Sequence, residues 1–218
     1  WGNNRFDFCT DANGFRSSCS DQFDETKEFD IAFIGDSFTE PVGISFEESF
    51  VGIISSDLPN KKIANLSAAS YSPSIYYSKI NHLLSQGYKF KEIIVFIDLS
   101  DIVDDTVCYK LENDIVERRK NYLNCYEEKK NLTQKIGKFI ERNFKFTYET
   151  NKLIILGFKK IGLVKYKVPL YVTDHPRSDW THNYKKENYN NFTYEESTDI
   201  LLTNMGKLAK LLKQNKIK

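Results

Sequence analysis

Three short apolar runs limit what this chain can fold into: "FDIAFIG" at 29–35, "KKIANLS" at 61–67 and "KEIIVFIDLSD" at 91–101. Each lacks the alternation of a sheet with one wet face, so each reads as a strand covered on both sides. Between them lie helical patterns. "SFEESFVGIISSDL" places Phe46, Phe50, Ile53 and Ile54 on one face, with Ser45 and Glu48 spaced as a capping box. "SPSIYYSKINHLLSQGY" has Pro73 in its first turn and Gly87 near its end. Strand–helix–strand–helix–strand predicts a parallel sheet with helices on both faces, a flavodoxin-like α/β/α three-layer sandwich.

Residues 29–105 are read as this core, preceded by a polar, turn-rich extended arm at 1–28. The rhythm breaks after Asp105, and 106–190 reads as a helical insertion or lid, rich in Lys, Asn, Tyr and Phe. The basic and aromatic stretch "KFIERNFKFTYETNKLIILGFKKIG" suits a glycan, a membrane surface or packing over its own domain, and the last is favoured. Residues 191–218 give an amphipathic helix with Ile200, Leu201, Met205, Leu208, Leu211 and Leu212 near one face. In an alternating fold a fourth core strand follows there, so the chain is expected to stop as that strand begins.

The 218 residues suffice for one α/β domain with an insertion. A net charge of +1 gives no argument for nucleic acid as a partner. The chain starts at Trp1, so it reads as a fragment or processed form, and a membrane anchor in a missing N-terminus is compatible with it. Cys9 with Cys19 and Cys108 with Cys125 form two local pairs, and neither has C-x-x-C spacing. Oxidised, they imply an extracytoplasmic compartment, periplasmic or membrane-associated; four free thiols in a cytosolic protein is the other reading. No cofactor is expected, and nothing fixes the oligomeric state.

The turn after the first strand, Gly35-Asp36-Ser37, carries the candidate chemistry. A serine there leaves the sheet at its carboxyl end, where open α/β folds place ligands, and a following helix N-terminus would add amide donors. As a bare tripeptide it is an ordinary turn. In context, "IGDSFTEPVGISFEESFVGII" resembles the first block of the SGNH, or GDSL-like, hydrolases, in the subset reading GDSFTxG. "IANLSAASYSPS" is similar to their second block, "IIVFIDLSD" to their third, and "NGFR" to the lead-in before such domains. The likeness covers about residues 11–105.

The resemblance implies an esterase or acyltransferase acting through an acyl-enzyme on Ser37, on a small-molecule or glycan acyl ester, with O-acylated carbohydrate as one such class. It makes the Ser37 N–H one oxyanion donor. The second-block glycine, a backbone donor, aligns with Ser70, and the third-block asparagine, a side-chain donor, aligns with Ser100. A backbone N–H survives the first change if Ser70 adopts a glycine-like conformation. A serine hydroxyl donates with shorter reach than an asparagine. These two departures motivate the alternative, a non-catalytic binding or assembly module.

The family's last block, Asp-x-x-His, is matched in form by "DWTH", Asp179 to His182. It precedes the amphipathic helix, too early in the chain, so the base is expected beyond Lys218, with His182 and Asp179 as the alternative pair. His82 reads as a helix-surface residue and His175 as a loop residue. Asp98, Asp101, Asp104 and Asp105 cluster after the third strand. Metal is not expected there: a solvated strand end is the preferred reading over a cation site.

Overall fold

A computed structural model of the chain describes residues 6–21, 25–119, 188–189 and 192–218. Its centre is a parallel sheet in the order β4-β3-β5, formed by β3 (Glu28–Ile34), β4 (Ile63–Asn65) and β5 (Lys89–Val95). Register runs Phe33 to Asn65 on one edge of β3 and Ile34 to Val95 on the other. Ala32, Ile34 and Ile93 are buried against α2 (Pro73–Ser85) and the last described helix, α4 (Tyr194–Gln214), through Tyr76, Ile80, Leu208 and Leu211. Phe33 and Ile94 face the other way, toward Phe46 and Val51 of the α1 (Phe50–Asp57) side. Continuous apolar strands are thus explained by helices on both faces.

The helices start where their caps dictate. Pro73 opens α2 and Gly87, at φ +84°, follows its end. Thr193 and Glu196 form a reciprocal capping box on α4. The expectation for α1 needs correction. Its cap is Ser49, whose side chain accepts from the Gly52 N–H at 3.0 Å, while the Ser45 hydroxyl turns to the Glu48 carboxylate at 2.9 Å. Starting four residues later rotates the buried face. Val51 and Gly52 point inward, whereas Phe50 and Ile53 are exposed.

The amino-terminal arm is structured. β1 (Cys9–Thr10) and β2 (Arg16–Ser17) form a hairpin, and Cys9 is disulfide-bonded to Cys19. Asp11 organises the turn by accepting from the amides of Asn13 and Phe15, each at 2.9 Å. Phe15 enters the main core, its ring 5.8 Å from Phe29 and 5.7 Å from Tyr88. Arg16 is buried, and its guanidinium donates to the carbonyls of Asp7, Cys9, Ser17 and Ile44. Cys108 is disulfide-bonded too; Cys125, the mate its spacing suggests, lies outside the described residues.

After β5 the chain enters a short helix, α3 (Asp101–Val103), then one π-helical turn over Asp104–Cys108. A hairpin of β6 (Tyr109–Glu112) and β7 (Ile115–Arg118) follows, turning on Asn113 and Asp114, both left-handed. This hairpin is absent from the sequence reading, although Asn-Asp at such a turn is a recognised signal. Asn188–Tyr189 and Phe192–Thr193 make a last short ladder, β8 with β9, before α4. After α4, the Lys218 N–H donates to Lys91 O at 3.1 Å and its carbonyl accepts from Ile93 N–H at 2.9 Å. That is parallel-strand bonding along the outer edge of β5, where the alternating pattern calls for a fourth strand. No helix of the described residues is long and apolar enough to cross a membrane.

Two glycines should respond oppositely to alanine. A Cβ on Gly52 would stand 1.9 Å from Phe46 O, a backbone atom that no rotamer change can remove, whereas one on Gly206 in α4 meets nothing within 4 Å. Gly52→Ala should cost about 3 kcal/mol by overpacking. Gly206→Ala should gain about 1 kcal/mol from helix propensity. Urea denaturation of both variants checks the pair.

Candidate active site

Three loops leave the carboxyl ends of β3, β4 and β5, and each carries one of the serines singled out above. The first is held by Asp36, which is buried: its Oδ1 accepts from Phe38 N–H at 2.9 Å, and its carbonyl accepts from Thr39 and Glu40 N–H. Gly35 is required by close approach. A Cβ there would lie 2.3 Å from Thr39 Oγ1 and 3.1 Å from Phe96 Cβ, at the exit of β5. Ser37 is half-buried in this turn. The expected helix N-terminus does not follow it, because the chain runs through turns until α1 begins at Phe50. Amide donors at Ser37 therefore come from the turn itself.

The second loop is tied to the first. Asn65, buried at the end of β4, donates from Nδ2 to Thr39 O at 2.7 Å and accepts from Ser67 N–H at 3.1 Å. Asn65 is therefore a structural side chain that holds two loops together. Glu40 Oε2 accepts from Ala69 N–H at 2.7 Å. Lys79 of α2 donates to Leu66 O at 2.7 Å, its ammonium 4.9 Å from the centre of the Tyr71 ring. Burial pushes Lys79 down to about 8, against the opposing pull of Glu40. Ser70 sits at φ +66°, so the serine does adopt the left-handed conformation a glycine would take.

In the third loop Ser100 caps α3. Its N–H donates to Asp98 Oδ1 at 2.5 Å, and its carbonyl accepts from the amides of Val103 and Asp104. The acids beyond it overturn the reading of a solvated strand end: Asp101, Asp104 and Asp105 are 0, 0 and 1% exposed. Polar groups of two helices make this tolerable. Asp105 accepts from Ser72 Oγ, Ser74 N–H and Asn204 Nδ2. Asp101 Oδ2 accepts from Tyr76 O–H and Asp98 N–H, while its Oδ1 has no partner among the described residues. Among those residues no group of three or more His, Cys, Asp or Glu is placed to hold a metal ion.

The amides are unequally committed. Those of Phe38, Thr39, Glu40, Ala69, Tyr71 and Ser100 all donate within the described residues. The N–H groups of Ser37 and Ser70 donate to nothing there, nor do the hydroxyls of Ser37, Ser70 and Ser100. A nucleophile-type hydroxyl and two free backbone donors therefore lie on loops bonded to one another. No base bonds to Ser37 among the described residues. His82 is exposed on α2, and Asp179, His182 and His175 lie outside the described residues, as does the basic–aromatic stretch read as a lid.

The sequence reading missed Glu40, Asn65 and Lys79 as the ties between loops. It also missed Asn204 as a donor to the buried acids. One signal was available for Asn204: a polar residue within the apolar stripe between Leu201 and Leu208. A scan against protein-family models, a search of curated proteins and a search of solved structures each found no match.

Asp101 supplies a pH test. Burial, reinforced by Asp36 and Asp104, pushes its carboxyl up to about 8, against the hydrogen bonds from Asp98 and Tyr76. Unfolded, it ionises near pH ~4. The folded chain therefore holds an extra proton between these values, and this contribution to stability falls as pH rises through that window. Asp101→Asn keeps the shape without ionising. In urea melts, the variant should gain on the wild type between pH 5 and pH 8, and the gap should level off above that.

Proposed function

We propose that the protein is a serine esterase or acyltransferase of the SGNH type that works through an acyl-enzyme on Ser37. The observation that carries this reading is the pair of uncommitted backbone N–H groups, at Ser37 and Ser70, on bonded loops beside a free serine hydroxyl. Ser37 Oγ attacks the acyl carbon, the oxyanion takes hydrogen bonds from the two amides, and the alcohol leaves with a proton. Water or a sugar hydroxyl then takes the acyl group. Ser100, its amide already used, offers only its hydroxyl as a third donor. A donor of this kind typically contributes about a hundredfold in rate or more.

The finer fold reading belongs with this proposal. A flavodoxin-like sandwich is supported by the β4-β3-β5 order, the helices on both faces and the strand-like bonding of Lys218 beyond β5. O-acylated carbohydrate is the substrate class that the resemblance favours. The disulfide-bonded Cys9, Cys19 and Cys108 support an oxidising compartment.

A second reading, a binding or assembly module on the same fold, is favoured by one observation: no base reaches the Ser37 hydroxyl among the described residues. Hydrolysis of p-nitrophenyl acetate by the protein separates the two. The enzyme reading expects turnover that falls by at least ~10³-fold in Ser37→Ala, with fluorophosphonate labelling lost in the same variant. No turnover and no labelling would select the binding module.

A further inference from the structure

The carbonyl of Ala68 accepts from Tyr71 N–H at 3.1 Å, closing a turn whose two central residues are Ala69 and Ser70. Ser70, the second of them, has φ +66°. A positive φ at that place marks the type II arrangement, whose central peptide is turned over relative to type I. The N–H of that central peptide belongs to Ser70. The sign of one dihedral angle therefore decides which side of the loop this donor faces.

Glycine takes such an angle freely, but serine needs its surroundings to hold it. The turn is fixed ahead of its first residue by Lys79 on Leu66 O and by Asn65 on Ser67 N–H. Within the turn the fastening is Glu40, through its 2.7 Å bond from Ala69 N–H. Glu40 lies three residues after Ser37, on the turn whose carbonyls and amides Asp36 organises. A single carboxylate thus connects the loop of the nucleophile to the residue preceding the second amide donor.

We propose that Glu40 is a positioning residue: by capturing the Ala69 N–H it holds Ser70 left-handed and keeps the Ser70 N–H in register with Ser37 as an oxyanion donor. This rests on the esterase reading for its catalytic meaning, while the positioning itself is readable without turnover. Glu40 touches no reacting atom. Its neutral isostere glutamine keeps a carbonyl oxygen to accept the same bond, and alanine does not.

The test combines kinetics with amide hydrogen exchange on the protein, for Glu40→Ala and Glu40→Gln. Expected in Glu40→Ala is a ten- to hundredfold lower kcat for p-nitrophenyl acetate at nearly unchanged KM, with faster exchange at Ala69. Glu40→Gln should restore kcat to within a few-fold and restore slow exchange. Wild-type turnover with kcat unchanged in Glu40→Ala would overturn the proposal, as would equal loss in both variants. If the wild type hydrolyses nothing, the esterase reading fails and exchange alone decides. Faster exchange at Ala69 in the alanine variant only then upholds the positioning role; unchanged exchange refutes it.

Discussion

The structure depends on β3 having no free side. Its edges are hydrogen-bonded to β4 and β5, and its faces are covered by α1 on one side and by α2 with α4 on the other. Glu28 and Asp30 at its start pair with Lys89 and Lys91, but from Ile31 to Ile34 the strand carries only apolar side chains, because a polar one enclosed there would lack partners. Beyond that stretch, polar residues gather where the strand ends. At that end Gly35 has Thr39 and Phe96 so near that no other residue fits without displacement, and the next two residues are the buried Asp36 and Ser37. The position of the serine is therefore a consequence of core packing.

The same end of the sheet shows how a polar loop cluster is made rigid without regular structure. Side chains of one loop bind backbone groups of another, Asn65 to Thr39 and Glu40 to Ala69, while Asp98 fastens Ser100 within its own loop. Each such bond contributes only about 1 kcal/mol net. Their collective effect is geometric, because each consumes a donor or acceptor and leaves a defined remainder. Below them Asp105 accepts from Ser72 and Ser74 at the start of α2 and from Asn204 of α4, so the two helices are joined at a polar point inside an apolar layer.

Much of this was legible in the sequence. Apolar runs of strand length with helical patterns between them led to a parallel sheet, because burial on both faces leaves a periodicity signature. Pro73, Gly87 and the Leu201–Leu211 stripe marked helices by mechanisms local to the chain. The start of α1 was misjudged because two serines, Ser45 and Ser49, both have capping chemistry, and only tertiary contact chooses between them. The buried acids were misread for a related reason. Asp101 and Asp105 are polar in any window, and their donors Ser72, Tyr76 and Asn204 stand far away in sequence. The turn at Ser37 is marked by its neighbours Gly35 and Asp36, whereas Glu40 and Lys79 bond backbone groups and leave no pattern of residue types.

The hairpin ahead of the sheet has a consequence for where the domain begins. Arg16 neutralises its isolation with main-chain carbonyls from its own hairpin and from Ile44, while Phe15 fills space between Phe29 and Tyr88. A segment that reads as an extended polar arm is thus a wall of the core. Two of the four carbonyls that solvate this cation, those of Cys9 and Ser17, belong to the hairpin strands, and the Cys9–Cys19 disulfide closes a covalent ring that contains the charged residue itself.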